Sequence, residues 1–356
     1  MNIAGTRLPV RSLACLLLMV LAAAALLLPG CASGPPAKMN GYTLTPAMQS
    51  LLAQYPAPGQ LIDEGSYKLH IDETGKRESG APAVIFEAGA GNFSTTWCKV
   101  APVIGQTADV YVYDRAGLGW SGPGRKPRTA DTIIAELHDL LHDAGVKPPY
   151  VFVAHSMGAV YARMFAHKFQ GEVKGLVLVD PGSEYMVVDA GQEARRDLDT
   201  ETAQAAAKLK EKAAVVATGK YADDLSGMPL LSGLTDFAAK QTQALMASEP
   251  WMWDTQAEEG LAAEESWAEA RAENISSLGD IPLSVITSGQ PVQLVSDPAA
   301  NTALNTAWRA RQQQMAGEST RGTYSIAQKS GHNIMLDQPD IVIKQIKLVL
   351  NGVAQK

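Results

Sequence analysis

Between an apolar run and a helical pattern, the chain places one serine in a turn with small residues on either side: Val151-Phe152-Val153-Ala154-His155-Ser156-Met157-Gly158-Ala159-Val160. A strand ending at Ala154 and a helix beginning directly after Ser156 leave no loop in which to reverse direction. The central residue is therefore forced into a strained backbone conformation, and Ala154 and Gly158 must be small for strand and helix to approach. The turn also leaves the Ser156 hydroxyl exposed at a helix N-terminus, where the dipole and free amides favour developing negative charge. The competing reading is a serine N-cap on an ordinary helix.

The surrounding chain supplies a sheet for that strand. Ile62 to Ile71, Ala83 to Glu87, Val110 to Asp114, Tyr150 to Ala154, Gly175 to Asp180, Leu283 to Thr287 and Thr323 to Ala327 read as strands. Thr129 to Ala144 and Met157 to Phe169 carry helical spacing between them. Alternation of this kind predicts an α/β fold with a mainly parallel sheet, helices on both faces and a ligand site at the carboxyl ends of the strands. The rhythm breaks over 183–280, where Ala, Glu and Gln dominate with helical spacing, as in Glu201 to Thr218 and Thr235 to Ser248. This stretch is expected to be an inserted helical cap dividing the core into 60–182 and 281–356. It holds three of the six tryptophans, Trp251, Trp253 and Trp267, with Met246 and Met252, as candidates to line an apolar pocket. A helical core would use the same residues equally well.

Charge narrows the partners. Thirty basic against 37 acidic residues give a net charge of −7, which repels phosphate backbones and disfavours nucleic acid. At the N-terminus, Arg7 and Arg11 precede an uncharged run from Ser12 to Leu28, followed by Pro29, Gly30 and Cys31. The run is short of the roughly 20 apolar residues that span a bilayer, so 1–30 reads as an export signal. Leu28-Pro29-Gly30-Cys31 resembles a bacterial lipobox. That resemblance implies lipidation of Cys31 as the new N-terminus and a membrane-anchored lipoprotein of the cell envelope. With Ala32 next rather than an aspartate, it points to the outer membrane and its periplasmic side. Acyl chains at about 0.8 kcal/mol per buried methylene would make the attachment long-lived. Loss of 1–30 would take the net charge from −7 to −9. Residues 31–59, with Gly34-Pro35-Pro36, Pro46, Pro56 and Pro58, read as a tether with at most a helical turn. Cys15 would leave with the signal and Cys31 would carry lipid, so Cys98 has no disulfide partner.

Downstream, Lys329-Ser330-Gly331-His332-Asn333 follows a predicted strand and precedes a helix opened by Asp337-Gln338-Pro339. A histidine there can reach a serine at the same sheet edge. Five motifs then stand in order: Val84-Ile85-Phe86-Glu87-Ala88-Gly89-Ala90-Gly91 with Trp97, Tyr113-Asp114-Arg115-Ala116-Gly117-Leu118-Gly119-Trp120-Ser121, Ala154-His155-Ser156-Met157-Gly158, Leu176-Val177-Leu178-Val179-Asp180-Pro181, and Ser330-Gly331-His332. Together they resemble the α/β-hydrolase superfamily. The similarity covers about Leu61 to Pro181 and Asp280 to the end, while the cap matches no motif. The resemblance implies Ser156 as nucleophile, His332 as general base and a carboxylate orienting the imidazole. It implies an oxyanion hole from the amides of Met157 and Ala90. Glu87-Ala88 stand where many members carry a histidine before the glycine pair.

Two carboxylates compete for the third role. Many members place the acid beyond the strand that here ends at Thr287, yet Asp297 is the first carboxylate there, and it suits a turn or helix cap equally. Asp180, at the end of the preceding strand, is favoured. Asp114 and Arg115 read as structural partners near the floor of the site, because no Lys-Ser or Lys-Thr follows their glycine turn to make a phosphate loop. Cys98 reads as a buried, inert thiol, and His155, His70 and His167 as structural. His138 and His142, at i and i+4, could bind zinc, but they flank an apolar helix face and lack a clear third ligand, so no metal is expected.

The expectation is a serine hydrolase acting on a small-molecule ester-type substrate with no metal, nucleotide or flavin cofactor. Serine at the turn argues against haloalkane dehalogenase or epoxide hydrolase chemistry. Thioesterase, lactonase, amidase, carbon–carbon cleavage and perhydrolase activities stay open, as does a non-catalytic envelope lipoprotein binding an apolar ligand. Oligomeric state is not legible.

Overall fold

The structure is a computed structural model in which residues 38–75, 80–228 and 232–355 are described. The signal, Cys31 and the first part of the expected tether lie outside the described residues.

Eight strands form one sheet: β1 (Gln60–Asp63), β2 (Lys68–Thr74), β3 (Ala83–Glu87), β4 (Val110–Tyr113), β5 (Tyr150–His155), β6 (Val173–Val179), β7 (Leu283–Ser288) and β8 (Gly322–Ala327), in the order β8-β7-β6-β5-β3-β4-β2-β1. The pairs from β4 to β8 are parallel, while β1 and β2 run antiparallel at one edge. The strand expected over Ile62 to Ile71 is thus two strands. Asp63 and Gly65 make the turn between them, with the Gly65 amide donating to Asp63 Oδ1 at 2.8 Å, a local side-chain turn that an apolar count overlooks.

Successive residues of the central strands face opposite layers. Ile85, Phe152, Leu176 and Leu178 pack with Ile133, Leu137 and Leu140 of α2 (Ala130–Asp143) and Val160, Met164 and Phe165 of α3 (Met157–Lys168). Val84, Phe86, Val151, Val153, Val177 and Val179 pack on the other face with Val342, Ile346 and Val349 of α9 (Pro339–Ala354). Burial on both faces is why these strands read as continuous apolar runs.

The stretch after β6 is helical, with α4 (Gln192–Val216), α5 (Asp236–Ser248), α6 (Pro250–Leu261) and α7 (Ala263–Glu273), and α8 (Pro298–Met315) lies between β7 and β8. Trp251 and Trp253 are buried in two small apolar clusters, and Trp267 packs at the edge of the main core, so all three serve packing.

The second half of the expected tether is folded. Lys38–Met39 pairs with Tyr42–Thr43, and α1 (Pro46–Gln54) follows Thr45, whose hydroxyl accepts from the Met48 amide at 3.3 Å. Leu44 and Met48 pack with Leu245, Trp251 and Met252, Leu51 packs with Val216 and Trp253, and the Tyr42 hydroxyl donates to Asp254. The proline spacing concealed this, because Pro46 sits in the first helical turn, where a missing N–H costs nothing. Met48 is 0% exposed. Met48→Ala is therefore expected to lower stability by about 2–5 kcal/mol in urea unfolding, whereas a detached tether would leave the midpoint unchanged.

Candidate active site

Ser156 sits at the junction of β5 and α3 with φ 52° and ψ −123°, a backbone conformation that side chains rarely adopt. Three hydrogen bonds hold it. Its amide donates to Val179 O at 3.1 Å, and its carbonyl accepts from Gly182 at 2.8 Å and Ala159 at 3.0 Å. A Cβ on Gly158 would lie 2.5 Å from Ala88 O and 2.7 Å from Glu87 Cγ, so the helix can approach β3 only through glycine. Gly89 is under a similar constraint, since a Cβ there would come within 2.7 Å of His155 Nδ1 and 3.1 Å of Ser156 Cβ. The loop after β3 therefore lies directly against the serine.

His332 Nε2 is 3.0 Å from Ser156 Oγ, and its Nδ1 is 2.7 Å from Asp180 Oδ2. An ionised carboxylate only accepts, so Nδ1–H donates to Asp180 and Nε2 is left to accept the serine proton. Burial works to raise the Asp180 carboxyl. The bond and charge of His332 outweigh it, with donors from the Ser288 amide and Gln312 Nε2, each at 3.0 Å, and hold Asp180 below the usual carboxylate range. Asp180 itself has φ 42°. Asp297 lies elsewhere as the N-cap of α8, accepting from the Ala300 amide at 2.8 Å.

His155 donates from Nε2 to the His332 carbonyl at 3.0 Å, because a carbonyl can only accept. Burial, then the nearby charge of His332, push its pKa down to about 3, so it stays a neutral support for the His332 loop. Gln312 and His155 are supports that sequence reasoning missed or treated as generic. For Gln312 no signal existed, since α8 brings it to Asp180 only in three dimensions.

Met157 is the first residue of α3, so its amide has no acceptor within the helix. Ala90 is exposed in the loop after β3. Beside that loop is a cavity of about 280 Å³ lined by Ala90, Phe93, Thr96, Leu234, Met246 and Gln256 among others. Leu234, Met246 and Gln256 come from the cap, whereas its tryptophans do not reach this cavity.

Beneath the loop, Arg115 is buried with Glu87 and Glu259. Burial pushes the Glu87 carboxyl up to about 7 against the opposing pull of Arg115 and the Tyr113 hydroxyl. For Glu259 the pull of Arg115 overcomes burial and the carboxyl stays low. His70 Nδ1 lies 2.8 Å from Asp114 Oδ2, and Asp114 accepts from the amides of Ser94 and Trp120, which fixes the glycine turn.

The two histidines with zinc-like spacing are occupied apart from each other. His138 stacks on Phe169 with ring centroids 3.9 Å apart, and His142 pairs with Asp143 at 2.7 Å. Among the described residues no group of three or more His, Cys, Asp or Glu is placed to hold a metal ion. No described helix is long and apolar enough to cross a membrane.

Residues 84–345 match the sequence profile of the Alpha/beta hydrolase family. An uncharacterized Bacillus subtilis protein, YqjL, is 43% identical over 106 residues, covering 30% of this chain and 42% of its own length. The chain spans less than half the length of the curated relatives it matches. Among solved structures, a Salmonella enterica protein described as a candidate acyltransferase superposes with TM-score 0.61 at 16% identity, covering 91% of this chain and 99% of that one. An esterase from Thermogutta terrifontis gives TM-score 0.53 at 19% identity, covering 81% and 94%. At such identities the likeness is one of fold. The profile match spans most of the chain and includes the Ser156 turn, and the chain belongs to the α/β-hydrolase family.

Proposed function

We propose that the protein is a serine hydrolase that cleaves a carboxylic ester-type bond through an acyl-enzyme. The observation that carries this reading is the relay from Ser156 Oγ to His332 Nε2 at 3.0 Å and from His332 Nδ1 to Asp180 Oδ2 at 2.7 Å. As Ser156 attacks the ester carbon, its proton passes to His332 and the carbonyl oxygen takes up negative charge. The amides of Met157 and Ala90 receive that charge. Collapse expels the alcohol, which takes the proton from His332, and a water then repeats the sequence to release the acid. Asp180 holds the imidazole in the tautomer that can accept and stabilises it once charged. The cavity beside Ala90, with Phe93, Leu234 and Met246 in its wall, suits a small apolar acyl or alcohol group. From sequence alone, the reading includes export and anchoring through lipid on Cys31.

Intact mass spectrometry after incubation with a fluorophosphonate should show one covalent adduct on the purified protein. Ser156→Ala should show none, and His332→Ala should react much more slowly. A folded wild type that stays unlabelled would refute the hydrolase reading and favour a ligand-binding lipoprotein. Asp180→Asn should cut turnover of 4-nitrophenyl butyrate by up to about 10⁴-fold, while Asp297→Asn should keep most activity. Equal tolerance of both changes would sink the assignment of the acid. The full-length chain expressed in a Gram-negative host should incorporate tritiated palmitate, and Cys31→Ser should abolish the labelling.

A further inference from the structure

Arg115 makes an unusually complete set of contacts under the loop that follows β3. Nε and Nη2 donate to Glu259 Oε1 and Oε2, both at 2.9 Å. Nη1 donates to Glu87 Oε1 at 2.8 Å and to Ala88 O at 2.7 Å, and Nη2 also donates to Gly89 O at 2.8 Å. All five guanidinium N–H groups are thus used, in a side chain only 2% exposed. Glu259 comes from α6 of the cap, not from the core that carries Arg115. The same helix faces that loop at Gly91, where a Cβ would touch Gln256, and the glycine turn after β4 at Gly117, where a Cβ would collide with Thr255 at 2.1 Å. The Gly91 amide points to Glu259 Oε2 at 3.5 Å.

The contact with Gly89 O bears on catalysis through peptide geometry. The Gly89 carbonyl and the Ala90 N–H belong to one trans peptide, in which the two groups point in opposite directions. Fixing the carbonyl on Arg115 below the loop fixes the amide to face the other way. Gly89 lies against Ser156, where a Cβ would come within 3.1 Å of the serine Cβ, so the peptide that carries the amide borders the serine.

We propose that Arg115, held by Glu259 of the docked cap, is a positioning residue of the oxyanion hole: it pins the Gly89 carbonyl and so aims the Ala90 amide at the charge that develops when Ser156 attacks. The inference rests on the serine-hydrolase reading. It makes the competence of the hole depend on the cap, because α6 supplies the carboxylate that orients the guanidinium. A lysine at 115 would keep the charge but offer three donors from a single point, and it could not reproduce the fork.

The test uses Arg115→Lys and Glu259→Gln in the full chain, each checked for a cooperative thermal transition. The readouts are kcat and KM for 4-nitrophenyl butyrate and the inhibition constant of butylboronic acid, whose serine adduct places a boronate oxygen in the oxyanion hole. The expected result is a fall in kcat of about 10- to 10³-fold, the range for losing one oxyanion donor. KM should stay within about threefold, and the boronic acid should weaken in proportion to kcat. Ala90→Pro removes the amide itself, and adding Glu259→Gln to it should cause no further loss, because both changes act through one donor.

Folded variants with unchanged kcat and boronic acid affinity would overturn the proposal. So would a rise in KM at constant kcat, or full additivity with Ala90→Pro. If Arg115→Lys does not fold, Glu259→Gln carries the same comparison with Arg115 in place. Failure of the underlying reading is distinguishable, since the wild type would then take no fluorophosphonate.

Discussion

The close approach of three backbone segments around Ser156 governs the rest of the molecule. Its backbone conformation costs of order 1–3 kcal/mol and persists only because its surroundings over-determine it. The serine's amide is tied to β6, its carbonyl to the Gly182 amide, and α3 is pressed on the end of β3 across Gly158. Neighbouring strands β3, β5 and β6 have to be parallel and adjacent for these bonds to exist together. The sheet order is in this sense a condition of the turn. The strained Asp180 at the end of β6 belongs to the same arrangement and brings a carboxylate to the imidazole that faces the serine.

Around this junction two buried arginines and Asp114 are paired, as the cost of isolating an ion in the interior demands. Arg115 is shared between Glu87 and Glu259, and Arg163 between Glu184 and Glu318. Asp114 faces His70. Each pairing joins segments far apart in the chain: Arg163 of α3 is tied to the loop after β6 and to the turn before β8, with Glu184 contacts at 2.8 and 3.2 Å. Such bridges add little net stability compared with apolar packing, but breaking one leaves an unpaired ion behind. They therefore define position more than they hold the fold together. That is the quality a reactive geometry needs, where displacement by an ångström is costly to rate.

The cap is tied to the N-terminal segment on one side and to the core loops on the other. Its helices receive Leu44, Met48 and Leu51 from the N-terminal segment, and they send Thr255, Gln256 and Glu259 down onto the loops at the sheet edge. Cap, N-terminal segment and the loop after β3 thus form one packed unit on the sheet edge that carries Ser156. The Trp251 and Trp253 side chains are consumed in that packing, which leaves the wall of the neighbouring cavity to Phe93, Leu234 and Met246.

Local patterns in the sequence determined the mainly parallel sheet, the turn at Ser156 and the helical character of the inserted segment. Each follows from period, residue size and strand-to-helix spacing within a few residues of chain. The candidates Ser156, His332 and Asp180 were legible because strand ends converge on one edge of such a sheet. Which of Asp180 and Asp297 lies beside His332 is visible only in three dimensions, since Asp297 is drawn off to cap α8 while Asp180 receives His332, Ser288 and Gln312. The docking of Pro46–Gln54 on the cap, the packing role of the cap tryptophans and the contact of Glu259 with Arg115 were likewise invisible along the chain. These features arise from contacts between residues far apart in sequence, whose side chains have no periodicity relative to one another. Their partners exist only once the sheet, the cap and the N-terminal segment have closed around the same edge.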